Sequence, residues 1–81
     1  MTDIQKALLE ALYYLGFGYL AKDANGDVYI YTSEPHRRVE DGWDPGWGRC
    51  RKIMDNSPLK NLVRWDGEPL NIQWALEGED K

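Results

Sequence analysis

Few residues in this sequence are equipped for bond-making chemistry. His36 is the only histidine and Cys50 the only cysteine. The two are of the right types for a nucleophile–base pair, but nothing in their spacing sets one up. A lone cysteine in a strand is usually a small core residue. One cysteine and one histidine cannot complete a four-ligand structural zinc site. Glu40, Asp41 and Asp44 gather carboxylates in a hydrophilic stretch. Acid–base work needs two carboxyls in different environments, one of them desolvated, so solvated surface charge is the better reading. Their spacing does not match the calcium loop of an EF-hand. No Gly-x-Ser-x-Gly, Walker-type or dinucleotide glycine pattern occurs. Gly42, Gly46 and Gly48 do not lead into the Lys-Ser/Thr helix start that cradles phosphate. The expectation is a protein that is not an enzyme, with no catalytic residue, cofactor or metal site.

Binding chemistry is better represented. There are four tryptophans: Trp43, Trp47, Trp65 and Trp74. Large rings give a small domain much apolar burial from few residues. Packing is the expected role of Trp74, which alternates with core positions, and of Trp65. Trp43 and Trp47 flank a Pro-Gly turn in an arginine-bearing stretch. They either close over the sheet edge or present a hot-spot surface, where Trp, Tyr and Arg are enriched. The residues expected to touch a partner are Tyr29, Tyr31, Arg37, Arg38, Trp43, Trp47, Arg49 and Arg51.

Net charge is −4 and unevenly spread. Residues 36–64 hold seven basic side chains against four acidic ones, a local +3, and the rest of the chain carries −7. An acidic protein is a poor default ligand for nucleic acid. Aromatics interleaved with arginines can nonetheless stack bases. The basic, Trp-bearing segment 36–64 therefore supports nucleic-acid binding as the alternative reading.

These side chains must be held by a small fold. With 81 residues the chain makes one domain. A 42% hydrophobic fraction argues for a folded core. Its stability is expected to be modest, and a partner or a second copy would add to it. A helix is predicted over 3–15. Thr2 and Gln5 have capping-box spacing, Ile4, Leu8, Ala11 and Leu15 form a stripe widened by Leu12, and Gly16 is a natural stop, with Phe17 reaching back to Leu12. Tyr13 and Tyr14 make the last turn apolar nearly all round, so burial on more than one side is expected. A hairpin is predicted over 17–33 around Asn25-Gly26, read as a two-residue type I′ turn. In that register Ala21 faces Ile30, and Leu20, Lys22, Tyr29 and Tyr31 share the outer face, with Lys22 over the Tyr29 ring.

Residues 33–48 read as a long irregular loop, with a type II turn at Asp44-Pro45-Gly46-Trp47. Loops of this length are usually functional or disordered. Late strands are predicted over 49–54 and 70–76, the second from the alternation of Leu70, Ile72, Trp74 and Leu76. A short helical turn is expected between them, from Ser57 and Pro58 to Leu62. Residues 77–81 read as a frayed tail. The fold class is α+β, an N-terminal helix packed on a small antiparallel sheet of three to four strands.

The stretch Tyr19-Leu20-Ala21-Lys22-Asp23-Ala24-Asn25-Gly26-Asp27-Val28-Tyr29-Ile30-Tyr31 is followed by Glu34-Pro35, a Trp-Gly segment, and Val63-Arg64-Trp65-Asp66-Gly67-Glu68-Pro69-Leu70. This pattern resembles small, mostly uncharacterised phage and prophage proteins of Gram-positive bacteria, over roughly residues 17–72. The helix before the hairpin and Gly67 depart from that pattern. The resemblance implies a phage setting and the cytoplasm of the bacterial host cell, and it carries over no catalytic residue. Met1-Thr2-Asp3 shows no basic region of a secretion signal, and no apolar run is long enough to span a membrane. The leading expectation is a non-catalytic interaction protein that binds a host macromolecule, such as a component of host defence, in the manner of anti-CRISPR proteins. The partners expected are a host protein first, nucleic acid as the alternative, and a second copy as a further arrangement open to a domain this small. No membrane is among them.

Overall fold

The computed structural model describes residues 1–37 and 42–79. The chain runs from helix α1 (Asp3–Tyr14) through the hairpin β1 (Tyr19–Lys22) and β2 (Val28–Tyr31). A two-stranded ribbon follows, β3 (His36–Arg37) and β4 (Trp43–Asp44), then β5 (Cys50–Lys52). A 3-10 turn (Pro58–Leu62), the short β6 (Leu70–Asn71) and helix α2 (Ile72–Glu79) complete the order. The main sheet is antiparallel, in the order β5-β2-β1-β6. This is the expected α+β class, with a second helix and a second, two-stranded sheet added.

Helix α1 begins at a full capping box, with Thr2 and Gln5 each accepting from the other's backbone N–H. It stops at Gly16, whose φ of 100° needs no Cβ. There the Phe17 N–H donates to the Leu12 carbonyl and the Gly16 N–H to that of Tyr13, a Schellman motif. The side turned to the core is not the expected stripe. Gln5, Leu9 and Leu12 face inward, while Ile4, Leu8, Ala11 and Leu15 face solvent. Two features choose that side. Gln5 Nε2 donates to the Pro58 carbonyl at 2.8 Å, and the Schellman motif brings Leu12 and Phe17 into the same core. Tyr13 and Tyr14, expected to be buried, are exposed.

The hairpin register also differs from expectation. Leu20 pairs with Ile30 and Ala21 with Tyr29, one residue away from the register of a two-residue turn. Asn25 has no positive φ, so a type I′ turn is excluded; only Gly26 does, at 95°. The Gly26 N–H closes on the Asp23 carbonyl and Asp23 N–H on that of Asp27. This is the three-residue loop that ends in a left-handed glycine. A one-residue slip inverts a strand's faces. Leu20 therefore joins Val28 and Ile30 in the main core with Leu9, Leu59, Val63 and Ile72. Ala21 lies on the other face with Tyr31 and Trp43. Lys22 pairs with Val28 and does not cover Tyr29.

The expected strand over 70–76 is mostly a helix. Asn71 Oδ1 accepts from the Trp74 N–H at 3.1 Å and caps α2. Ile72, Ala75 and Leu76 pack inward, and Trp74, expected in the core, is 72% exposed. Asn71 is the signal that alternation hides: a cap residue immediately before the apolar run. Ser57 caps the 3-10 turn as expected, accepting from the Leu59 N–H. The sheet thus has two covered faces, α1, α2 and the 3-10 turn on one, and the β3–β4 ribbon with Trp65 on the other.

Candidate partner-binding surface

Segment 33–48 is where the expected contact residues divide. Within it, His36 pairs with Asp44 and Arg37 with Trp43, a short ladder where no regular structure was expected. The ribbon lays Trp43 over Ala21 and Tyr31. Its indole N–H donates to the Lys22 carbonyl at 2.9 Å, so a buried ring keeps its polar atom satisfied. Trp43 and Tyr31, both expected to touch a partner, are buried residues of the second core. Tyr29 is half-buried beside Tyr31, with ring centroids 6.5 Å apart.

Arg37, although exposed, is engaged within the fold. Its guanidinium lies 4.5 Å from the Trp43 ring and 4.6 Å from that of Trp65. Nη2 donates to the Gly67 carbonyl. A flat, weakly hydrated cation suits a slot between two indoles better than an ammonium would. Arg37 therefore clamps the ribbon to the 64–67 turn. Arg38 lies outside the described residues.

Trp47, Arg49 and Arg51 remain open. Trp47 is fully exposed. Its turn is not the type II turn expected over Asp44–Trp47. The Gly48 N–H donates to the Pro45 carbonyl, which puts Gly46, at φ 62°, in the first central position, as in a type II′ turn. Asp44 Oδ1 accepts from the Gly46 N–H at 2.8 Å. Gly48 sits so close to Thr32 and Ser33 that a Cβ there would overlap Ser33 Oγ and Thr32 Oγ1. Arg49 N–H donates to Thr32 Oγ1 at 2.8 Å, and its carbonyl accepts from the Thr32 N–H. The indole is therefore carried on a fastened turn.

Arg49, just before the edge strand, and Arg51, within it, are exposed, with no carboxylate within ion-pair distance among the described residues. Lys52 differs. It pairs with Asp27 at 3.6 Å and Asp55 at 3.5 Å. Those carboxylates, Asp27 foremost, hold its ammonium above the ordinary lysine range. Cys50, expected as a small core residue, is exposed on this strand.

An open cleft of about 1000 Å³ runs between the ribbon and the start of α2. Tyr19, Arg37, Arg64 and Trp74 are among its walls, with Glu34 and Glu68 at its margin. Both carboxylates are exposed, so neither has the desolvated setting of a general acid. Sequence reasoning missed Trp74 as a surface residue because it missed the helix. Among the described residues, no three His, Cys, Asp or Glu side chains converge on a cation position, and no helix is long and apolar enough to cross a membrane. The chain matches no protein-family model, no curated protein and no solved structure.

Proposed function

We propose that this is a non-catalytic binding protein, of phage type, that engages a macromolecule of its bacterial host through the Trp47 turn and the Arg49–Arg51 edge. The observation that carries the reading is Trp47, a fully exposed indole on a turn fastened by Gly48 and Thr32. An apolar ring held in water gains most when a partner covers it, and a preformed turn loses little freedom on binding. The resemblance over residues 17–72 motivates the phage setting and the host cytoplasm. A protein of host defence is the target class that fits a small acidic chain whose main equipment is a contact surface.

The experiment is capture from host lysate with the tagged full chain, beside Trp47→Ala and the double variant Arg49→Ala/Arg51→Ala. A stoichiometric host protein, retained by the parent and lost from both variants, is the expected result. Arg49 and Arg51, without an ion pair among the described residues, favour one other reading, a single-stranded nucleic acid stacked on Trp47. In that case a gel shift at low salt appears and collapses steeply as salt rises. Neither a protein nor a nucleic acid that depends on Trp47 would sink the proposal.

A further inference from the structure

The solvent side of α1 carries an apolar stripe. Ile4, Leu8, Ala11 and Leu15 lie along it, spaced four, three and four residues apart. That is the seam spacing of packed helices, which keeps successive side chains in line. Ile4 is 67% and Leu15 71% exposed, and Tyr14, 90% exposed, widens the stripe with Ala7 along one flank. The helix's charges, Asp3, Lys6 and Glu10, fall outside this sector. Uncharged surface of this extent marks an interaction site.

We infer that α1 is a dimerisation helix, its stripe packing antiparallel against the same stripe of a second copy, with the twofold axis passing between Leu8 and Ala11. The pattern four-three-four reads the same in both directions, so a reversed copy presents a matching seam. Ile4 then meets the partner's Leu15, and Leu8 the partner's Ala11, a bulky side chain against a small one at the crossing. An isologous contact requires this self-complementarity. The uncharged seam brings no like charges together. Antiparallel helices also set the positive N-terminal end of one against the negative C-terminal end of the other. Covering the stripe removes roughly 600 Å² from each copy, about 1,200 Å² in total, at the lower end of specific interfaces. Contacts at this end of the size range are typically weak, so the expected dissociation constant is on the order of micromolar. The Trp47 turn follows β4 of the ribbon, and the ribbon covers the sheet face opposite α1, so a dimer displays two such turns.

Sedimentation velocity of the full chain, from about 1 to 500 μM, brackets that affinity range. The parent is expected to pass from monomer to dimer across it. Ile4→Glu and Leu15→Glu should each weaken the dimer at least tenfold while circular dichroism stays unchanged, since both side chains are exposed. The double variant Ile4→Lys/Leu15→Glu sets opposite charges face to face only in an antiparallel pair, and it should recover the dimer. A parent that is monomeric at every concentration assigns the stripe to a different protein and overturns the proposal. So does a dimer indifferent to both single variants, or a double variant that stays as weak as they are.

Discussion

Arg37 and Trp47 are residues of the kind that interfaces favour, and the fold uses them in opposite ways. Arg37 is held between Trp43 and Trp65, so its contribution is to stability. Arg37→Ala should cost about 1–2 kcal/mol in urea unfolding and weaken the near-ultraviolet dichroism of the tryptophans. Arg37→Lys should recover little of either, because an ammonium has no flat face to stack. Recovery to the parent's value would show that charge alone matters. Trp47 touches solvent all round, so Trp47→Ala should change stability by no more than about 0.5 kcal/mol. Against a bound partner the same substitution should cost about 2 kcal/mol or more, a thirtyfold loss of affinity. A large drop in melting temperature would mean that the indole packs within the fold. Residue types showed which side chains were suited to contact but not which were already engaged. That depends on a ladder between Arg37 and Trp43 formed in a stretch rich in proline and glycine, where no periodic pattern announces a strand.

At the scale of elements, local signals were legible where a residue acts on its own neighbours. Thr2 and Gln5, Gly16 and Phe17, and Ser57 and Pro58 all cap the segments that their spacing predicts. Legibility failed where two local patterns competed. Asn25-Gly26 suits both a two- and a three-residue loop, and the choice of the second exchanged the faces of β1. Leu70 to Leu76 alternates like a strand, yet Asn71 caps a helix there. Asn71→Ala should lower stability by about 1 kcal/mol and reduce helical dichroism; no change would contradict a capping role. Gly26→Ala should cost about 1–3 kcal/mol, because φ 95° is strained for any residue with a Cβ. The edge strand is tied to the hairpin loop through Lys52 and Asp27. Since the folded-state pKa of Lys52 is raised above 10.5, the stability it contributes is present in full below the ordinary lysine range. It is lost as pH rises through the raised value. Asp27→Asn should bring the Lys52 titration back toward 10.5, read by nuclear magnetic resonance at Nζ. A titration identical to the parent's would rule out the pair in solution.

For the whole molecule, one four-stranded sheet serves two cores. Helices cover one face, and the ribbon, with Trp43 and Trp65, covers the other. The α+β class was legible from the capped helix and the hairpin. The double coverage was not, because it depends on Trp43 and Tyr31 meeting across non-local segments. Beyond β4 this arrangement leaves Trp47 fully exposed, with Arg49 and Arg51 close in sequence on an acidic protein. A macromolecular partner at the Trp47 turn is open to capture by photo-crosslinking in cells of the proposed bacterial host. The full chain would carry a photoreactive phenylalanine analogue in place of Trp47, and in a control in place of the exposed Asn61. A discrete adduct from position 47, absent from position 61, is the predicted result. No adduct from position 47, or equal adducts from both, would contradict it.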